Sequence, residues 1–148
     1  MTPQQLAEAA ARDMHARDAV AQALGINILT VSPGRASAQM LVRPDMLNCH
    51  GMCHGGMIFT LADACFGFAC HSRNHNTVGQ HTETSFILPV VPGTVLTATA
   101  EERASTGRSS IYDITVSDDR GRVVTLFRGH ARQIAGKVIE ADSSGACA

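Results

Sequence analysis

The feature that most limits how this chain can fold is the run over residues 55–71. It contains no proline and places Met57, Ile58, Leu61, Ala62, Cys65, Phe66, Phe68 and Ala69 at spacings of three, four and seven. That pattern predicts a helix that is apolar on nearly every side. At about 17 residues it falls short of the roughly 20 needed to cross a bilayer, and no other apolar run is longer, so its surface must be covered by protein. A sheet long enough to curl around it is the simplest cover.

The rest of the chain supplies one. Residues 3–24 repeat Leu6, Ala9, Ala10, Met14 and Val20 among charges, which predicts one surface helix stopped by Gly25. Residues 26–31 and 35–42 flank Ser32-Pro33-Gly34 as a hairpin would, and Arg43-Pro44-Asp45 breaks the second strand. After the apolar helix, Arg73-Asn74-His75-Asn76 reads as a polar connector. Strands are predicted over 78–88, 94–105, 109–117 and 122–134. Pro89 with Pro92-Gly93, then Thr106-Gly107-Arg108, then Asp118-Asp119-Arg120-Gly121 separate these runs, which predicts an antiparallel meander. The expected class is α+β: a curved antiparallel sheet of five to six strands wrapped around a long central helix, with a further helix at the N-terminus. At 148 residues the chain makes one domain. We place it at 1–136, with 137–148, small and polar, as a disordered tail.

Charge and cysteine content narrow the function classes. With 12 basic and 13 acidic residues the net charge is −1, so no global field attracts nucleic acid or an anionic membrane. The absence of Trp also argues against base stacking. Five cysteines, an odd number, and charged N-terminal residues in place of an apolar signal core fit the reducing cytoplasm.

Chemistry concentrates at the mouth of the apolar helix. Asp63 is its only charged residue and lies mid-helix, too far along to act as a cap. A buried carboxylate must be partnered, protonated or kept for reaction, because an unpaired buried charge costs several kcal/mol, an order-of-magnitude figure. Pairing with an arginine or with backbone donors would be the structural alternative. Gly55-Gly56 begin the helix, and their amides, unobstructed by side chains, can approach a carbonyl oxygen. Close packing of the turn would also explain the pair. Seven residues, roughly 10 Å along the axis, separate Gly56 from Asp63. One helix therefore cannot clamp one carbonyl between them, whereas two antiparallel copies about a two-fold axis can. The spacing predicts a homodimer with shared sites.

The segment from Asn48 to Asp63, with His54-Gly55-Gly56 followed by Phe59-Thr60-Leu61-Ala62-Asp63, resembles the signature of hot-dog-fold acyl-CoA thioesterases. It is most similar to the branch that serves phenylacetate degradation. Phe86-Ile87-Leu88-Pro89, Tyr112-Asp113-Ile114 and Leu126-Phe127-Arg128-Gly129 resemble later strands of that family. The resemblance implies hydrolysis of aryl-acyl thioesters such as (hydroxy)phenylacetyl-CoA, with no cofactor, and dimers that associate into a homotetramer. It implies that Asp63 is the catalytic carboxylate, as general base on water or as nucleophile through an anhydride. It further implies that Gly55 or Gly56 donates to the thioester oxygen, that Asn48 holds water or that oxygen, and that His54 braces the turn. Leu61, Ala62 and Phe66 are placed to desolvate Asp63. Substrate contacts are expected at His50 and Phe86. Arg128, His130 and Arg132 alternate on one face of the last strand, so Arg128 and Arg132 become candidates for the coenzyme A phosphates, although a solvated sheet face explains them equally well. His81 and Glu83 depart from the family pattern and bear on acyl preference.

Two other classes compete. A hot-dog hydratase or dehydratase needs an Asp and a His paired on the helix, and only His71 follows Asp63 within reach. A non-catalytic metal- or ligand-binding module would use Cys49, His50, Cys53 and His54. The three residues between the cysteines do not match haem attachment, and the same turn must start a helix. Cys65 and Cys70 read as small apolar core residues.

Overall fold

The computed structural model describes residues 1–140. Its elements are α1 (Pro3–Arg17), α2 (Ala19–Leu24), β1 (Asn27–Ser32), β2 (Arg35–Leu41), a 3-10 turn (Pro44–Met46), α3 (Gly55–Cys70), β3 (His75–Phe86), β4 (Val95–Thr106), β5 (Ser109–Ser117) and β6 (Val123–Lys137). All six strands form one antiparallel sheet in the order β1-β2-β4-β5-β6-β3. α3 packs across one face of it and touches every strand. This is the α+β architecture expected from the sequence.

Two local expectations need correction. The N-terminal helix is broken at Asp18, whose backbone is extended and whose carboxylate accepts the Ala21 N–H at 2.9 Å. Asp18 thus ends α1 and caps α2, a competition with helix continuation that Asp commonly wins. The later strands are not a simple meander either. β4, β5 and β6 follow one another, but β3 pairs with β6 at the far edge, so the chain crosses the sheet between β3 and β4. The polar connector is also shorter than predicted, because His75 and Asn76 already belong to β3.

The interior explains why α3 sits where it does. Ile58, Leu61, Ala62, Cys65, Phe66, Phe68 and Ala69 are buried against the sheet, where they meet inward residues such as Met40, Leu96, Ile114 and Phe127. Phe66 lies edge-on to Tyr112, with ring centroids 5.7 Å apart, and 5.8 Å from Phe127. Gly129 allows β6 to pass beneath it: a Cβ there would stand 2.7 Å from the Phe66 ring. At its C-terminus α3 is tied to the sheet through Ser72, whose hydroxyl accepts the Gly34 N–H, and through Arg73, which pairs with Glu102 at 2.7 Å. Around Ile139 the chain is still held, since Asn74 exchanges two hydrogen bonds of 2.9 Å with it. The remainder of the expected tail, 141–148, lies outside the described residues.

Candidate active site

The turn before α3 is built by Asn48. Its Oδ1 accepts the backbone N–H of His50 at 2.9 Å and of Met52 at 3.2 Å, while Gly51 supplies the left-handed φ of 73° that closes the turn. The Asn48 Nδ2 group has no partner among the described residues, so it remains a donor. Cys53 N–H then bonds to Val90 O at 2.8 Å and His54 N–H to Met46 O at 2.7 Å, fixing the start of α3 between two loops.

His54 is the N-cap, and its Nδ1 accepts the Gly56 N–H at 2.9 Å. This distinguishes the two glycines. The Gly56 amide is used within the turn, and the Met57 amide reaches His54 O, whereas the Gly55 N–H has no acceptor among the described residues. Gly55 also lines a cleft of about 450 Å³, together with Asn48, His50, Met52, Ile58 and Phe86; Gly56 does not. The Phe86 ring stands so near Gly55 that a Cβ there would meet it at 3.2 Å. A residue with an unpaired amide at the positive end of a helix, one with an amide side chain and an aromatic wall therefore border the same space.

Asp63 is on the same helix but not in that cleft. It lies eight residues beyond Gly55, about 12 Å along the axis by helix rise. The expectation of an all-round buried helix is corrected here, because Asp63 is exposed on the single chain and Gly56, Thr60 and Gly67 beside it are only partly covered. Its carboxyl is nevertheless raised above its ordinary value of 3.8, first by partial desolvation and second by the like charge of Asp18. Leu61 and Ala62, expected to provide that desolvation, are fully buried in the core.

Residues 50–125, just over half of the 148, match the thioesterase superfamily. The chain belongs to that superfamily. The acyl-coenzyme A thioesterase PaaI of Escherichia coli K12 is 39% identical over 128 residues, which cover 86% of this chain and 91% of that protein. The structure of the E. coli PaaI protein from the phenylacetic acid degradation operon superposes with a TM-score of 0.90 at 38% identity, over 92% of this chain and 99% of that one. A mutant of the phenylacetic acid degradation protein PaaI from Thermus thermophilus gives 0.76 at 32% identity, over 79% and 100%. The protein is thus a thioester hydrolase with the hot-dog fold.

Of the residues singled out in this thioesterase by sequence, the structure gathers Asn48, His50, Gly55 and Phe86 around one cleft, with His54 bracing it. Arg128 and Arg132 stand apart on the outer sheet face. Arg128 is engaged by Asp113 through two bonds of 2.6 and 2.9 Å, and Arg132 is exposed without an ion pair among the described residues. His81 faces His130 on that outer side, with ring centroids 5.2 Å apart. Among the described residues no three His, Cys, Asp or Glu side chains are grouped to hold a metal ion. His71 does not pair with Asp63: its Nδ1 bonds to Gly67 O at 2.8 Å and its Nε2 accepts the Thr77 N–H at 3.2 Å. Sequence reasoning missed Asp18, the carboxylate beside Asp63, because its only local signal is that of a helix cap.

Proposed function

We propose that the thioesterase hydrolyses acyl-CoA thioesters, preferring aryl-acyl groups such as (hydroxy)phenylacetyl, and yields the free acid and coenzyme A. The observation that carries this reading is the division of labour along α3, with a free Gly55 amide at one end and an outward-facing carboxylate eight residues on. In a two-fold dimer with antiparallel α3 helices, Gly55 of one chain receives the thioester oxygen and Asp63 of the partner subunit drives the attack. The Gly55 N–H and the helix dipole stabilise the negative charge that develops on that oxygen, a contribution of about 3 kcal/mol for a single donor. Asn48 Nδ2 is free to hold the oxygen or the attacking water.

Two routes use the same carboxylate. As general base, Asp63 takes a proton from water while the hydroxide forms a bond to the carbonyl carbon, and collapse of the adduct expels the coenzyme A thiolate. As nucleophile, its oxygen displaces that thiolate to give an anhydride, which water then opens. The aryl preference rests on the apolar walls supplied by Met52, Ile58, Phe86, Ile87 and Leu88, and on the phenylacetic acid context of the PaaI relatives. Among the described residues no helix is long and apolar enough to cross a membrane. Cys49, Cys53, Cys65 and Cys70 form no disulfide among the described residues, which supports a cytoplasmic location. The test is thiol release from a panel of acyl-CoA substrates by the wild type and by Asp63→Asn. Aryl-acyl substrates are expected to lead, with activity lost in the variant. Equal activity of both proteins would end the proposal.

A further inference from the structure

Pro89 and Val90 line the Asn48–Gly55 cleft and also a neighbouring one, likewise of about 450 Å³. The two clefts are therefore neighbours that share one stretch of wall. The second is floored by the segment running from Pro89 to Thr94 and walled by the turn between β5 and β6, which carries Arg120 and Arg122.

Asp118 fixes that turn. It is buried, and its Oδ1 accepts the backbone N–H groups of Arg120 at 3.0 Å and Arg122 at 2.9 Å, while its Oδ2 accepts Arg122 Nε at 2.8 Å. Gly121, at φ 76°, completes the reversal. Arg122 is thereby committed to Asp118, whereas Arg120 is exposed and has no ion pair among the described residues. Asp119 stands in the same wall and opposes it.

We propose that this second cleft binds the phosphate groups of the substrate's coenzyme A carrier, with Arg120 as the anchoring cation. The inference rests on the thioesterase reading above and extends it. A coenzyme A thioester has its reacting carbonyl at one end and its phosphates at the other, joined by a long uncharged arm. With the carbonyl at Gly55, the exposed Pro89, Val91 and Pro92 offer that arm an apolar track, and a guanidinium beyond them suits the phosphates. Arg128 is poorly placed for this role, since Asp113 holds it on the outer sheet face.

The test compares kcat/KM for the preferred acyl-CoA with that for the same acyl thioester of pantetheine, which lacks the nucleotide phosphates. The ratio between the two substrates is expected to fall about tenfold in Arg120→Ala, the loss of one charge-assisted contact. It is expected to rise in Asp119→Asn, where the opposing charge is gone. A ratio unchanged in both variants overturns the proposal. Binding of adenosine 3′,5′-bisphosphate, measured by calorimetry, reads the same site without catalysis and is expected to weaken in Arg120→Ala. Should the wild type hydrolyse neither ester, the functional reading fails by itself. The phosphate site is then decided by calorimetry alone: weaker binding in Arg120→Ala sustains it, and equal or absent binding ends it.

Discussion

Replacing Gly55 by proline removes one N–H at a position where a helix accepts proline. Gly55 is the first helical residue, and His54 before it is already extended, as a residue preceding proline must be. If the Gly55 amide stabilises the developing oxyanion, Gly55→Pro lowers kcat by about 10²–10³-fold relative to Gly55→Ala, which sets the same Cβ against Phe86 but keeps the N–H, while circular dichroism shows α3 intact in both. Asp63→Asn is expected to lower kcat by about 10²–10⁴-fold in a thiol-release assay. Desolvation and Asp18 both favour the protonated carboxyl of Asp63, so the acid limb of kcat/KM lies above its ordinary value of 3.8. Asp18→Asn keeps a capping side chain but removes the like charge, and should move that limb to lower pH. The same shift has a stability sign. Between the unfolded and folded pKa the folded chain holds a proton that the unfolded chain has released, so stability falls as pH rises through that interval. Asp63→Asn is therefore expected to raise Tm at neutral pH. The carboxylate, the glycine pair and Asn48 were legible in the sequence as residue types at given spacings. Which glycine keeps a free amide was not, because that depends on the rotamer of His54.

At the scale of elements, α3 is set by its cap and by its clearance from the sheet. Gly129→Ala drives a methyl group to within 2.7 Å of a Phe66 ring already packed on Tyr112 and Phe127. We expect a destabilisation of about 1–3 kcal/mol, read as a lower denaturant midpoint. Every strand was legible from alternation and turn residues, because those signals are local. The break at Asp18 was hidden by apolar spacing that continues through it. The pairing of β3 with β6 was hidden for a different reason: turn residues mark where a chain reverses, and β3 leaves its neighbour in sequence to find a partner far along the chain, beyond β4 and β5. The outward stripe of α3 was likewise invisible, since Gly56, Thr60 and Gly67 read as ordinary small residues until the helix is docked.

For the whole molecule, the single chain leaves two surfaces unfinished. Among the described residues β3 closes one end of the sheet with no strand on its outer side, and Phe86 and Ile87 at its end are 54% and 51% exposed. Asp63 faces outward on its helix while the free Gly55 amide lies about 12 Å away along the axis. The two-fold dimer proposed above would complete the catalytic set, so sizing chromatography should show no active monomer. The most direct test of a site shared between subunits mixes Gly55→Pro with Asp63→Asn by co-expression. Each variant alone is inactive, yet half of the random dimers are mixed and each of those carries one intact site, so activity should return to about a quarter of wild type. A mixture no more active than its parents would contradict the account.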